Sequence, residues 1–324
     1  AGIVSEILLT APEVKILATS RERLNLQSEI VLIVGGMDMP GQVRSEDALN
    51  YDAVSLFVQS AGKVRPGYEP SFDELGQIVY ICQIVQGMPL AIELAAAWLH
   101  ILNVDEISEE LETGLDILAS EVRDAPVRHR SIHAVFDHSW SMLDQTEQEI
   151  FMRLSVFRGG FTRQAARRVT GASLQQLAGL VNKSFLNHDP DSGRLEIHEL
   201  LRQYAQERLW ETPQTSLSAQ EAHAAYYAEF MGQRWEDLKG ARQIIALAEI
   251  EADIENVRAA WQYYLDQRNA PQMKMFVQSF REVYWIRGWN HAGMELFAQA
   301  VSTLRGEQDE ESVTLYTLAM AYQG

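Results

Sequence analysis

The spacing of apolar residues constrains this chain more than any other feature. Beyond residue 40, apolar side chains recur every three or four positions in nearly every segment, which is the period of amphipathic helices. The spacing predicts a first group of helices, Ala48–Gly62, Phe72–Val85, Pro89–Ile101 and Ile132–Met142. After Pro213 it predicts Ala219–Met231, Ile244–Leu265, Met273–Ile286, Ala292–Leu304 and Glu311–Tyr322. We therefore expect a mainly α fold that ends in an α-helical repeat region.

Two apolar runs near the start of the chain break with the helical pattern. Val14–Ser20 and Glu29–Val34 carry apolar residues without alternation, as strands buried on both faces of a parallel sheet do. They predict the remnant of a parallel α/β sheet ahead of the helices.

The middle of the chain predicts three helices followed by a hairpin. The helices are Thr146–Ser155, Arg163–Val169, which Thr162 can cap, and Leu174–Asn182. A turn at Asp191-Ser192-Gly193 then separates two short strands, Phe185–His188 and Leu195–Ile197. Three helices and one hairpin predict a winged helix, preceded by a polar linker at Arg123–Arg130 that contains Pro126.

These elements divide the chain into four predicted domains. They are the C-terminal part of an α/β domain at 1–40, a helical lid domain at 41–122, the winged helix at 123–212 and the helical repeats at 213–324. Gly293, Phe297 and Ala300 have the spacing of a tetratricopeptide-like step, although too few other positions of that repeat signature are present.

Composition disfavours several classes of protein. A net charge of −18 over 324 residues repels phosphate backbones and anionic lipid, which argues against nonspecific attachment to nucleic acid or membrane. Cys82 is the one cysteine, so no internal disulfide forms, and no apolar run approaches the roughly 20 residues of a membrane span. We expect a cytoplasmic protein. Because the sequence starts at Ala1 without methionine and stops at Gly324 within a predicted helix, we also expect a fragment.

Arg21 is the first candidate binding residue. It follows the predicted strand Val14–Ser20, at the sheet edge where open α/β folds place ligands, and a fixed guanidinium there can read a terminal phosphate. The alternative interpretation is a surface arginine that pairs with Glu22 or Glu29.

The segment Gly87-Met88-Pro89-Leu90 is a second candidate. Gly87 permits a tight approach, and Pro89 adds a rigid ring without an amide hydrogen before a helix begins, a combination able to pack on a flat adenine face. A plain helix start is the alternative.

His198 is the third candidate because it lies between the strand Arg194–Ile197 and the helical run that continues to Ala205. One ring nitrogen can donate to a diphosphate while backbone holds the other, so the contact would form only when the winged helix docks on the nucleotide. The alternative is a structural histidine that closes the wing.

The sequence gives little indication of a phosphate-binding loop, a nucleophilic catalytic site or a metal site. No segment has the Gly-x-x-x-x-Gly-Lys-Ser/Thr pattern that cradles phosphates, and no Gly-x-Ser-x-Gly elbow or Cys–His pairing is present. His129, His133 and His138 with Asp137 could suggest a metal site, because His129 and His133 have helical i, i+4 spacing. Arg130 stands where a zinc protease has a glutamate and no third ligand is indicated, so we expect solvated or packing histidines. Cys82 is expected in the core.

Direct DNA contact is also disfavoured. Residues 123–212 carry twelve Lys or Arg and eleven Asp or Glu, which leaves about −19 on the rest of the chain. The predicted recognition helix Leu174–Lys183 ends in its one lysine, and Gln175 and Gln176 alone are too few polar groups to read a groove.

The three candidates, in this order, resemble the motifs of STAND-class signalling NTPases, and of the NB-ARC group in particular. Thr19, Ser20 and Arg21 match the first sensor, and Gln86–Ala96 matches the Gly-x-Pro motif at nearly every position. His198 matches the histidine of the Met-His-Asp motif.

The match has limits that bear on function. Ile197 and Glu199 replace the neighbours of the family histidine, so a nucleotide contact carries over to His198 alone. Arg153–Thr162 is similar to bacterial members with a winged helix and a tetratricopeptide-like tail. The Walker A and Walker B elements of the family would lie upstream of Ala1.

The resemblance implies an ATP/ADP switch, with magnesium in the complete protein, slow ATP hydrolysis by that protein and none by this chain. ADP would bridge the lid and the winged helix in a closed state, and a protein or small-molecule signal would bind the helical repeats. Activation would bring homo-oligomerisation, without membrane contact. The binding residues that it implies are Thr19, Ser20, Arg21, Gly87, Pro89, Leu90 and His198.

Two rival functions stay open. One is a winged-helix transcriptional regulator that binds DNA directly. The other is a protein-interaction scaffold with a degenerate nucleotide fold.

Overall fold

The computed structural model describes residues 2–11, 13–27, 29–41, 47–119, 131–308 and 310–323. It confirms a mainly α fold with helical repeats. None of the helices within these ranges combines the length and apolarity that a membrane crossing needs. The α-helices are α1 Gly2–Thr10, α2 Asp52–Val64, α3 Phe72–Ile84, α4 Pro89–Ala97, α5 Val104–Thr113, α6 Ile132–Trp140, α7 Gln145–Leu154, α8 Arg163–Thr170, α9 Leu174–Asn182, α10 Glu199–Trp210, α11 Pro213–Lys239, α12 Gln243–Ala252, α13 Ile254–Asp266, α14 Ala270–Arg287, α15 Asn290–Leu304 and α16 Glu310–Gln323.

The predicted order of three helices and a hairpin is present. After α7, α8 and α9, β1 Asn187–His188 pairs with β2 Leu195–Glu196 in a two-stranded sheet. Phe161 extends the pairing, because Phe161 and Leu195 each donate an amide hydrogen to the other's carbonyl oxygen, at 2.8 and 2.9 Å. The hydroxyl of Thr162 caps α8 as predicted. The predicted linker Arg123–Arg130 lies outside the described residues.

The prediction of two parallel strands near the start of the chain is wrong. Val14–Ser20 and Glu29–Val34 have no regular secondary structure and belong to no sheet, and Leu17 and Val34 are 90% and 92% exposed. A parallel strand needs neighbours that take up its backbone amides and carbonyls. No such neighbour is present within the ranges that the structure describes, so the predicted remnant of an α/β sheet is not formed there.

The chain divides into two compact units. The first unit contains Ala1–Glu149, Leu177–Asn187 and Ile197–Glu207. The second unit contains Ile150–Gln176, His188–Glu196 and Arg208–Gly324. The four domains drawn from the sequence stay a prediction.

The first unit has its core among α2, α3, α4 and α5. Two capping boxes begin helices of this core: Ser71 with Glu74 at α3, and Asn103 with Glu106 at α5. The helix α5 is absent from the predicted set, although the Asn103-x-x-Glu106 pattern signals its start. The large side chains that are fully buried in this core include Phe57, Ile78, Ile81 and Ile92.

The second unit is built on the long helix α11, which packs against α13 and α14. The single helix predicted over Ile244–Leu265 is wrong, because the chain breaks at Asp253 between α12 and α13. Gly293 on α15 lets that helix approach Tyr284 on α14, since an added Cβ would lie 3.3 Å from the tyrosine ring. Phe297 and Ala300 are buried on the same helix, as the repeat spacing predicts.

Asp253 is the centre of a buried polar cluster in the second unit. This residue is 4% exposed, and its carboxylate accepts hydrogen bonds from Arg194 at 2.8 and 3.1 Å. The Tyr227 hydroxyl donates to it at 2.9 Å and the Asn256 amide at 3.1 Å. Burial and the neighbouring carboxylate raise the pKa of Tyr227, so the hydroxyl stays a donor. Full hydrogen bonding and an opposite charge make this buried carboxylate tolerable.

Replacing Arg194 by methionine tests the energy of this cluster. The change leaves Asp253 buried without its partner charge, which costs about 3–5 kcal/mol for pairs of this kind. The control R168M breaks an exposed pair of the same unit, Arg168 with Glu229 at 3.0 Å, and such pairs contribute about 0–1 kcal/mol. We expect urea denaturation to show a several-fold larger loss for R194M than for R168M. Equal losses would mean that burial adds nothing to the Arg194 contact.

Candidate functional site

The segment around Gly87 ends α3 with two left-handed residues. Gln86 has φ of +49° and Gly87 has φ of +67°, and the Gly87 amide donates to the Cys82 carbonyl at 2.9 Å. Met88 then precedes α4, whose first residue is Pro89, as suits a ring that lacks an amide hydrogen. The Pro89 ring is exposed at the surface of this turn.

The close approach expected of Gly87 is present, and its partner is backbone. Met37 donates its amide to the Gly87 carbonyl at 2.8 Å. A Cβ added at Gly87 would lie closer than 3.0 Å to the backbone of Met37, and one added at Gly36 would meet the Gln86 carbonyl in the same way. Both glycines are therefore required by this crossing of two backbones.

Gln86 connects this turn to the helix that follows His198. Its side-chain carbonyl oxygen, Oε1, accepts the amide hydrogen of Glu199, the first residue of α10, at 3.2 Å. The first amides of a helix have no partner within the helix, so this contact satisfies one of them. The second and third candidate motifs of the sequence therefore lie next to each other in the first unit.

His198 is partly buried and is held at one ring nitrogen. Nδ1 accepts the amide hydrogen of Leu200 at 3.3 Å, so the proton of the neutral ring is on Nε2. Burial lowers the pKa of His198 to about 4, against a smaller opposing effect of the Glu199 carboxylate. The ring is thus a neutral donor at ordinary pH. Nε2 meets no acceptor among the residues that the structure describes.

Arg21 contacts α6, which neither interpretation of the sequence anticipated. Its guanidinium donates to the Val135 carbonyl at 2.9 Å and to the Ser139 hydroxyl. Glu29, one of its two alternative partners, instead accepts the amides of Leu24 and Asn25.

The helix α6 also reaches α10. The hydroxyl of Tyr204 on α10 donates to the Asp137 carboxylate on α6 at 2.6 Å. His133, on the same helix, has Nε2 at 3.6 Å from a Glu207 carboxylate oxygen. Arg21 and His198 are therefore each linked to this pair of helices. His129 lies outside the described residues.

The remaining sequence candidates have local roles in the structure. Thr19 and Ser20 are exposed, and the Ser20 hydroxyl accepts the Glu22 amide at 3.1 Å. Leu90 is partly buried against the core of the first unit. Gly36 is not among the residues predicted from the sequence, although the pair Gly35-Gly36 after an apolar run was an available signal.

Comparison with known proteins finds relatives that carry the name of regulators. No protein-family model matches this chain. Proteins of Mycobacterium tuberculosis and Mycobacterium bovis, provisionally named HTH-type transcriptional regulators, are 30% identical over 330 residues, which is 99% of this chain and 36% of each relative. A second Mycobacterium tuberculosis protein, whose name assigns no function, is 32% identical over 223 residues, 65% of this chain and 54% of its own length.

These relatives are longer than this chain. The chain spans 36% of the length of the regulators that it matches. Nucleotide binding by this chain stays a prediction.

Adding a methyl group at Gly87 tests the backbone crossing. G87A places a Cβ against backbone atoms and forces alanine into a left-handed conformation, so we expect a loss of at least ~2 kcal/mol in urea denaturation. The control is G62A on α2, where an added Cβ meets no atom within 4 Å and alanine favours the helix by roughly 0.5–1 kcal/mol. A G87A protein as stable as G62A would contradict the close approach.

His198 also makes stability depend on pH. Its folded pKa of about 4 is below the unfolded value near 6.5, so the unfolded chain binds the proton more readily between these values. The contribution of His198 to the free energy of unfolding is therefore fully present above about pH 6.5 and is lost as the pH falls toward 4.

Replacing His198 by glutamine should remove that part of the pH dependence, roughly 2 kcal/mol. Urea denaturation between pH 4 and pH 7 measures it, with H188Q at an exposed histidine of the hairpin as the control. A pH dependence that is the same in H198Q and wild type would contradict the burial of the ring.

Proposed function

We propose that this chain is a control segment of a transcriptional regulator and that an adenine nucleotide sets its state. The contact that carries the proposal is the hydrogen bond between Gln86 and Glu199, because it brings the Gly87-Pro89 turn beside the helix that His198 precedes. The names of the mycobacterial relatives support regulation, and the three motifs of the sequence support nucleotide binding.

The residues at this site offer some of the contacts that a nucleotide needs. His198 has a donor at Nε2 without an acceptor among the described residues, and the Pro89 ring is exposed where an adenine face could pack. Gly87 is committed to the backbone of Met37, so its part is to shape the turn. A phosphate-binding loop and a magnesium ligand would have to come from other residues, since no segment of this sequence has the phosphate-loop pattern.

The first sensor motif supplies the nucleotide-dependent contact in this proposal. Arg21 now donates to α6, and a terminal phosphate would compete with Val135 and Ser139 for the same guanidinium. The Ser20 hydroxyl accepts the Glu22 amide next to Arg21, and Leu90 packs the turn against the core. Thr19 is exposed beside them. With ADP bound, His198 would contact the diphosphate and the protein would stay closed. A signal or partner that binds the helical repeats would shift the equilibrium between the closed state and an open, homo-oligomeric state.

Titration of the whole protein with magnesium-ADP tests the role of His198. H198A removes one hydrogen bond to a charged phosphate, which lowers affinity by about 10- to 100-fold. The control H188A removes an exposed histidine of the hairpin and leaves the affinity unchanged. Calorimetry that shows equal ADP affinity for H198A and wild type, or no binding at all, contradicts the proposal.

Direct DNA binding is the second candidate function, and two observations favour it. The relatives are provisionally named HTH-type transcriptional regulators. On α8, Arg163 and Arg167 are exposed one helical turn apart, and neither has a carboxylate partner among the residues described. Two such cations on one helix face can contact neighbouring phosphates of a duplex.

The DNA function predicts an electrophoretic mobility shift that weakens as salt rises. R163Q with R167Q should weaken the shift and lower the salt slope by about 2, one unit for each lost phosphate contact. The control R268Q with R305Q removes the same charge from the helical repeats and should leave the slope unchanged. Equal effects of the two double substitutions on the salt slope, or no mobility shift with the wild type, would contradict contact between α8 and DNA.

A further inference from the structure

The helix α4 is exposed along one narrow face, which Pro89 and Glu93 share. Both residues are exposed, whereas residues 91–92 and 94–96 are buried in the core of the first unit. Residues four positions apart lie on the same side of an α-helix, with about 5–6 Å between their Cβ atoms. Glu93 is the one charged residue of α4. A flat ring that lies on Pro89 therefore has the Glu93 carboxylate beside its edge.

A second charged group, the Lys63 ammonium, reaches the same place from α2. The helix α2 packs against α4, and Nζ of Lys63 lies 3.5 Å from Oε1 of Glu93. The two side chains are 67% and 47% exposed. An ion pair this exposed contributes little to stability, so both side chains can turn toward a ligand at small cost.

The two groups have opposite hydrogen-bonding character, and together they match one purine better than the other. A carboxylate only accepts hydrogen bonds, and an ammonium only donates them. Adenine has an amine donor at its 6-position, next to the ring acceptor N7, whereas guanine has acceptors at both places. Glu93 can accept from the adenine amine while Lys63 donates to the neighbouring ring nitrogen. The same edge of guanine would place its carbonyl oxygen against the Glu93 carboxylate.

We propose that Glu93, oriented by Lys63, is a specificity-determining residue that makes this site prefer adenine over guanine nucleotides. The inference rests on the proposed function, because a nucleotide must lie on Pro89 before its base edge can reach Glu93. Stacking on Pro89 does not supply the preference, since every base offers a flat face. The preference comes from the hydrogen bonds of Glu93 and Lys63 to the base edge.

Calorimetric titration of the whole protein with magnesium-ADP and with magnesium-GDP measures this preference as the ratio of the two dissociation constants. For the wild type we expect ADP to bind about tenfold more tightly, the low end of the discrimination that paired hydrogen bonds to a base edge supply. E93Q introduces an amide donor that can bind the guanine carbonyl, so the ratio should fall to about one. K63M keeps the carboxylate and should give an intermediate ratio.

Two controls separate base recognition from other effects. E109Q removes the same charge from an exposed position of α5 and should leave the ratio unchanged. H198A removes a contact to the phosphates, which ADP and GDP share, and should weaken both nucleotides equally without changing the ratio.

The outcomes distinguish this inference from the proposed function. A wild type that binds ADP no more tightly than GDP, or an E93Q variant that keeps the wild-type ratio, would overturn the role of Glu93 and leave nucleotide binding in place. Binding of neither nucleotide by the wild type would overturn both the proposed function and this inference.

Discussion

A carboxylate at a break between two helices is the constraint on which the second unit depends. Asp253 is almost completely buried, so its charge is tolerable only while Arg194, Tyr227 and Asn256 all donate to it. Those donors come from the hairpin, from α11 and from α13. One residue therefore requires three separate elements to keep their places, which specifies the arrangement more strictly than apolar packing does.

In the first unit, backbone groups fix the positions of neighbouring segments. Gly36 and Gly87 let two chain segments cross, and Gln86 beside them takes up the first amide of α10. His198 gains a fixed orientation from this setting, with Nδ1 held by Leu200 and Nε2 left as a donor. The proposed nucleotide would thus meet a preformed turn and a neutral imidazole. These groups offer few contacts, so in the proposal the affinity depends on additional residues that bind the phosphates.

Local patterns predicted most helices because their signals lie within a few residues. The helix Leu174–Asn182 has the predicted bounds, and the Thr162 cap forms as expected. The two strands failed because pairing depends on distant segments, and an apolar run alone cannot show whether a neighbour exists. The roles of Gln86 and Asp253 could not be predicted from local patterns, because each depends on a partner far along the sequence: Glu199 for Gln86, and Arg194 for Asp253.

The crossing at Gly36 and Gly87 has a consequence for how this sequence can vary. Most tight contacts in proteins involve side chains, so an enlargement on one side can be offset by a smaller residue on the other. Here each glycine faces main-chain atoms, which every residue possesses. No second substitution can make room, and the two positions must stay glycine independently of each other for as long as the turn keeps its shape.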